Sequence, residues 1–306
     1  MKKSKILTLL LFLTAVSSLI AAATIPPENS YQVRFETTHY KTTRDFLDNS
    51  QVFETTIRAL CWFEPAEDGK ILEATHHLNY DLLVDGEQTT NPALEPYVDL
   101  TLYALLDEDL FVVDILGLEE LDRRIMSIRD PFERQAVLSA TSGEVVRQHA
   151  TNKSNEERAI IIFAVENLGD AFEWDYEHYM NGTAVPFTAQ VMAERGTFED
   201  QEVYIIHLVR LYTGGAESSY AKATVASLGL SLPRGIRYTN VEQSAFETLY
   251  VGLDDLFPIA VDRYEQTIIE FVAAGETVEF RETEEFTYRS VPYFPEEPEA
   301  SSEEMR

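Results

Sequence analysis

Cysteine is almost missing from this chain: Cys61 is the only one in 306 residues, so no disulfide can form within it. Basic residues are scarce too, 24 Lys and Arg against 53 Asp and Glu, for a formal net charge of −29. A surface of that sign repels nucleic acid and anionic headgroups at long range, which excludes nucleic-acid binding as a function class. The sequence contains no G-x-S-x-G elbow, no H-E-x-x-H helix and no phosphate-binding glycine loop. Past residue 23 no stretch is apolar and long enough to span a bilayer as a helix. The fold must therefore be held by its core, and 45% hydrophobic residues with 17 Phe and 15 Tyr make that feasible.

The N-terminus does carry an apolar run. Lys2, Lys3 and Lys5 precede Ile6 to Val16, and Ala21-Ala22-Ala23 offers the small residues that a signal peptidase requires at its −3 and −1 subsites. Residues 1–23 are therefore expected to be a cleaved secretory signal, with Thr24 as the new N-terminus. The competing reading is an uncleaved anchor, but Thr8, Thr14, Ser17 and Ser18 interrupt the run. Cleavage removes three lysines, so −29 becomes −32 over the remaining 283 of 306 residues. An exported chain without disulfides points to a bacterial envelope, either periplasm or outer-envelope and extracellular space.

Two β-rich regions flank a helical one. Lys70 to Val84 alternates, with Leu72, Ala74, His76, Leu78, Tyr80, Leu82 and Val84 expected on one face. Further strands are predicted near Tyr97–Leu105 and Leu110–Ile115. From Leu118 the period becomes helical, and Asp130-Pro131 reads as an N-cap with proline at the first helical position. Asn155-Glu156-Glu157 reads as a second cap, before a run ending at Gly169. Alternation returns at Phe172, and Asn181-Gly182 predicts a two-residue type I′ hairpin. That turn would pair His178 with Val185, Tyr176 with Phe187 and Trp174 with Ala189. Glu202–Tyr212 continues the meander, Ser219–Leu228 reads as a short helix and Gly229–Asn240 as irregular. Strands follow near Phe246–Val251, Pro258–Val272 and Thr277–Arg289, with Phe271 opposite Val278 and Ile269 opposite Phe280. The expected organisation is a signal at 1–23, an N-terminal β unit at 24–117, a helical segment at 118–170, a C-terminal antiparallel β unit at 171–291 and a disordered acidic tail at 292–306. The fold class is β-rich α+β, with long curved antiparallel sheets.

Chemistry is harder to find. His76, His178 and His207 are expected at inward positions of apolar strand faces and are the candidate metal ligands, since three imidazoles from neighbouring strands can hold zinc and leave a site for water. The reading favoured over a metal site is that each is an isolated core or rim histidine with a backbone partner, because no H-x-H or H-x-x-x-H spacing links them. Ser219-Tyr220-Ala221-Lys222 matches S-x-x-K but lacks its K-T-G and S-D-N partners. Asp107-Glu108-Asp109 and Asp254-Asp255 lack the calcium-loop spacing, and such pairs are frequent in a chain with 53 acids.

Long alternating strands interrupted by a helical segment resemble, in form alone, bacterial envelope proteins with a curved sheet and an apolar concave face; form does not fix function. The reading that follows is a non-enzymatic exported binding or structural protein with an apolar small molecule, a lipid or an envelope protein as partner, and no cofactor. Leu78, Tyr80, Trp174, Tyr176 and Phe187 are its candidate ligand-binding residues. The alternative is an extracytoplasmic hydrolase using the three histidines. An outer-membrane barrel is disfavoured, because the helical middle is large and the chain ends Glu303-Glu304-Met305-Arg306 without a terminal aromatic.

Overall fold

The computed structural model describes residues 32–44, 50–180, 183–215, 217, 220–222, 237–253, 256, 258–273 and 276–293. Strands β1 (Gln32–Arg44), β2 (Ser50–Pro65), β3 (Ile71–Val84), β4 (Glu87–Thr89), β5 (Leu100–Leu106) and β6 (Val112–Leu116) come first. Helices α1 (Leu118–Met126), α2 (Pro131–Thr141) and α3 (Gly143–Glu166) follow. Then come β7 (Ala171–Met180), β8 (Thr183–Phe198), β9 (Gln201–Tyr212), β10 (Arg237–Gly252), β11 (Pro258–Ala273) and β12 (Glu276–Tyr293). The protein is a β-rich α+β fold, as its alternation predicts.

The strands on both sides of the helical segment belong to one antiparallel sheet, in the order β6-β5-β3-β2-β1-β12-β11-β10-β9-β8-β7, with β4 attached to β3. The join is the pairing of β1 with β12, from Gln32 opposite Tyr293 to Arg44 opposite Arg281.

Hairpin registers follow the turn signals. Trp174 faces Ala189, Tyr176 faces Phe187 and His178 faces Val185; Phe271 faces Val278 and Ile269 faces Phe280. The loop Asn181-Gly182 itself lies outside the described residues, as do Asp254-Asp255, Ser219, most of 219–236 and 294–306. Strand β10 begins at Arg237, so the end of the connection read as irregular is already sheet.

Strand β3 departs from the expected single face. Its pairing with β2 runs from Arg58 opposite Asn79 to Ala59 opposite His77, leaving Leu78 as an extra residue. This β-bulge reverses the alternation. Glu73, Thr75 and His77 face the same way as Leu100, Leu102 and Ala104 of β5, while beyond the bulge Tyr80 and Leu82 continue that face. Apolar residues on both sides of Leu78 make the alternation look unbroken in sequence, which is why the bulge is invisible there.

The helices lie on one face of the sheet, the inner face. Leu118, Leu121 and Ile125 of α1 and Val137 of α2 pack with Leu100, Leu102, Ala104 and Leu106. At the other end, Ile161 and Ala164 of α3 pack on Ala189, Val191, Ile206, Leu208 and Leu249. The Asp130 carboxylate accepts from the amides of Phe132 (2.8 Å) and Glu133 (3.1 Å), with Pro131 opening α2, as its capping signal predicts.

Asn155 differs from its expected capping role. Helix α3 is continuous from Gly143 through it. Its carboxamide accepts from the amide of Val112 (2.7 Å) and donates to the Val112 carbonyl (3.0 Å), taking the place of a neighbouring strand at the edge of β6. Phe163, one face further along α3, meets Phe172 of β7 edge-on at 4.7 Å between ring centres. Helix α3 thus touches both outermost strands of the sheet and occupies the gap between them.

Candidate functional site

A groove of about 550 Å³ lies beside α3, between that helix and the β5–β6 turn. Leu110, Phe111, Ala159, Ile162 and Phe163 give it an apolar wall, the buried Arg158 contributes at its base, and Glu108, Asp109 and Glu166 complete the lining. The turn is built by Asp107, whose carboxylate accepts from the amides of Asp109 (3.0 Å) and Phe111 (2.9 Å). Leu110 sits in it at φ +67°, a left-handed conformation unfavourable for a branched side chain. The Asp107 carboxylate is therefore committed to the backbone. Among the described residues no group of three or more His, Cys, Asp or Glu is arranged to hold a metal ion.

The second feature is a charged network beneath α3. Glu247 of β10 is buried and meets Arg263 of β11 through two oxygens, at 3.0 and 3.2 Å, and Arg210 of β9 at 3.1 Å. From α3, Glu157 approaches Arg263 at 3.8 Å and Lys153 at 3.7 Å. Burial alone would raise the Glu247 carboxyl, but Arg263 and Arg210 override it and hold it down at about 2. Burial, with Arg263 next to it, lowers the Lys153 ammonium, while burial raises Glu157 against the pull of Lys153 and Arg263. Glu265, two residues along β11 and hydrogen-bonded to Gln243 at 3.1 Å, is raised by burial and by Glu284. The middle of the C-terminal inner face is thus charged, with apolar clusters on either side of it.

A third feature lies on β2 and β3. Glu73 is 1% exposed and takes a 3.6 Å contact from the Cys61 thiol. Burial pushes its carboxyl up to about 8 and the Cys61 thiol well above its ordinary value. Such a thiol is inert at neutral pH. His77, on the same face, is driven down to about 4 by burial and by His76.

The residues read from sequence scatter across this frame. Tyr80 donates to Glu95 at 2.7 Å, and Leu78 is the bulge residue. Tyr176 stacks on Phe187 at 5.8 Å, and Phe187 in turn packs against Tyr212 and Tyr220, so these two are part of a filled aromatic cluster. Trp174 is 36% exposed on the outermost strand β7 and is not among the residues that line the groove. Contrary to their expected inward placement, His76 and His207 are on the outer face and six strands apart in the sheet order. The bulge turns His77 inward in place of His76, and Ile206 and Leu208 take the core side of β9 in place of His207. His76 contacts Thr101 and Asp99, and His207 contacts Thr248 and Glu194. The side chain of His178 lies outside the described residues.

The groove and the network were missed. Glu247 sits between Ala245 and Leu249, and Arg263 between Val261 and Glu265, so a charge on the apolar side of an alternating strand was the available signal. The groove has no such signal, because its two walls come from segments some fifty residues apart.

No family model and no curated protein matches the chain. Among solved structures, lipovitellin, described in terms of its lipid–protein interactions, is similar at 8% identity over 89% of this chain, with a TM-score of 0.40. The chain spans 26% of the length of that lipovitellin chain. A DUF1329 family protein from Desulfovibrio piger aligns at 10% identity over 94% of this chain and 93% of its own, with a TM-score of 0.14. The Pseudomonas aeruginosa MucA/MucB complex aligns at 11% identity over 93% of each chain, with a TM-score of 0.15. These likenesses are too distant to assign a function.

Proposed function

We propose that this chain is an exported, non-enzymatic binding protein of the bacterial envelope that takes an apolar small molecule or lipid in the groove beside α3. The observation that supports this reading is the groove itself: apolar along Leu110, Phe111, Ile162 and Phe163, and placed where α3 fills the gap between the two outermost strands. Its size is that of a small-ligand site, and pockets of this kind combine an apolar wall with a few polar groups that orient the ligand. Phe172 of β7 extends the same apolar region beyond Phe163. A metal-dependent hydrolase has less support, since His76 and His207 have separate local partners.

Ala159 is exposed on the groove side of α3. Ala159→Trp should fill the groove without disturbing the helix or the core. Titration of the mature protein with a fluorescent fatty acid should show uptake, weakened about tenfold or more in the variant, with an unchanged melting temperature. Equal uptake by both proteins would move the ligand elsewhere, and no uptake by either would remove the apolar-ligand reading.

A further inference from the structure

The groove beside α3 is apolar along its walls and acidic at its rim. Glu108 and Asp109 stand exposed on the β5–β6 turn, and Glu166 stands exposed at the end of α3. The one cation among the lining residues, Arg158, is 3% exposed and engaged within the protein. A wider circle keeps the same sign. The Glu108 carboxylate lies against Gly69, which has Glu67, Asp68 and Lys70 beside it, and Asp107 opens the turn. Across residues 67–70, 107–111 and 158–166, six acids stand against two cations.

Unlike Asp107, the three rim carboxylates are not committed to the fold. Among the described residues, Glu108, Asp109 and Glu166 enter no ion pair and accept no hydrogen bond through their side chains, whereas Asp107 accepts two from backbone amides. Glu166 even stands against the preference of its helix. The last turn of α3 holds no basic residue and ends in this carboxylate, although the carbonyls there already form the negative end of the helix dipole. That end adds to the field of the rim. The three acids are not arranged to hold a metal ion. A ligand that carries its own positive charge would balance them.

We propose that the groove takes an amphiphile with a cationic head, in its simplest form an alkyl ammonium. The chain lies along Phe111, Ile162 and Phe163, and the ammonium stays at the mouth among Glu108, Asp109 and Glu166. The faces of aromatic rings such as Phe111 and Phe163 attract a cation and repel an anion, so the walls reinforce the rim. Burial of the chain supplies affinity, while the rim selects the head by attracting an ammonium and opposing a carboxylate. The inference rests on the reading of the groove as an apolar-ligand site and narrows it to one class of ligand.

The test is calorimetric titration of the mature protein, at neutral pH and physiological salt, with decylamine, decanol and decanoate below their micelle concentrations. The chain is the same in each, so only the head differs. At this salt the charge of the remote surface is screened beyond about 8 Å, and the ranking of heads reports the rim. Decylamine should bind about tenfold more tightly than decanol, the combined effect of several partly exposed ion pairs, and decanoate should bind more weakly than either. Glu166→Gln and Asp109→Asn should each weaken decylamine about threefold and leave decanol unchanged. Ala159→Trp should weaken all of them. Decanol or decanoate binding as tightly as decylamine overturns the cationic preference and leaves the apolar-ligand reading standing. Binding of none removes that reading and this inference with it. A decylamine preference that survives the combined Glu166→Gln and Asp109→Asn variant, or decylamine binding that Ala159→Trp leaves intact, would place the ammonium elsewhere on the acidic surface and overturn the proposal.

Discussion

At the scale of single residues, the inner face holds two groups that pull its stability in opposite directions with pH. The Glu73 carboxyl, raised to about 8 by burial, binds a proton more tightly folded than unfolded. Stability from this group is complete below the ordinary carboxylate range near 4.5 and falls as pH rises towards 8. His77 works in reverse. Lowered to about 4, it is neutral when folded, so its contribution is complete above 6.5 and falls as pH drops towards 4. Between 4.5 and 6.5 the two slopes oppose each other. Glu73→Gln should therefore stabilise the protein at pH 8, on the order of a few kcal/mol, and change little at pH 5. Urea unfolding at the two pH values checks this, and an equal effect at both would show that Glu73 is ionised in the folded state. Neither group was singled out in the sequence. Glu73 was expected on the polar side of β3, and only the bulge at Leu78 turns Glu73 and His77 inward.

At the scale of elements, α3 and the outermost strands form one arrangement. Strand β6 is five residues long, and Asn155 satisfies the Val112 amide and carbonyl that would otherwise face outward. Strand β7 carries Glu173, Asp175 and Glu177 on the face away from the helices, with Thr188 bound to Asp175 and Gln190 to Glu173. Charges on an outermost strand discourage pairing with other chains. Asn155→Leu keeps the helix but leaves both Val112 groups unpaired. It should cost about 1–3 kcal/mol, and the amide of Val112 should exchange faster with deuterium. Unchanged stability and protection would show that the contact is incidental. Much at this scale was legible. Turn chemistry and alternation agreed on the β7–β8 and β11–β12 registers, since a one-residue slip would have moved every apolar side chain off the core. Asn155 was read as a cap because a polar residue ahead of two acids looks the same in either role. Its true partner lies 43 positions away, and long-range pairing leaves no local trace.

At the scale of the whole molecule, what local patterns could not supply is the join. Periodicity identified strands on both sides of the helices, but nothing in it says that β1 pairs with β12 to make one sheet. The candidate site shares that limit: its walls, Leu110–Phe111 and Arg158–Glu166, become neighbours only when α3 lies in the gap. Long-range pairing of this kind is slow to form. Refolding from urea should therefore show a phase slower than the formation of the local hairpins, and Phe286→Ala should affect it. Phe286 is buried on β12 and packs with Ile57 and Ala59 of β2, across the strand that separates them. A variant that destabilises the protein by about 3 kcal/mol while leaving the slow phase untouched would mean that the seam closes after the rate-limiting step.

Strand β1 lies in the middle of the sheet, yet among the described strands it is the first in sequence, and its partner β12 is the last. A chain threaded outward from its N-terminus delivers β1 long before β12, with more than two hundred residues between them. Until the final segment emerges, β1 has only β2 beside it, and the flank reserved for β12 stays open to any other strand that arrives. On the proposed reading of an exported chain, this topology imposes a waiting period between β1 and β12, during which a chaperone on the far side of the membrane would have its clearest purpose.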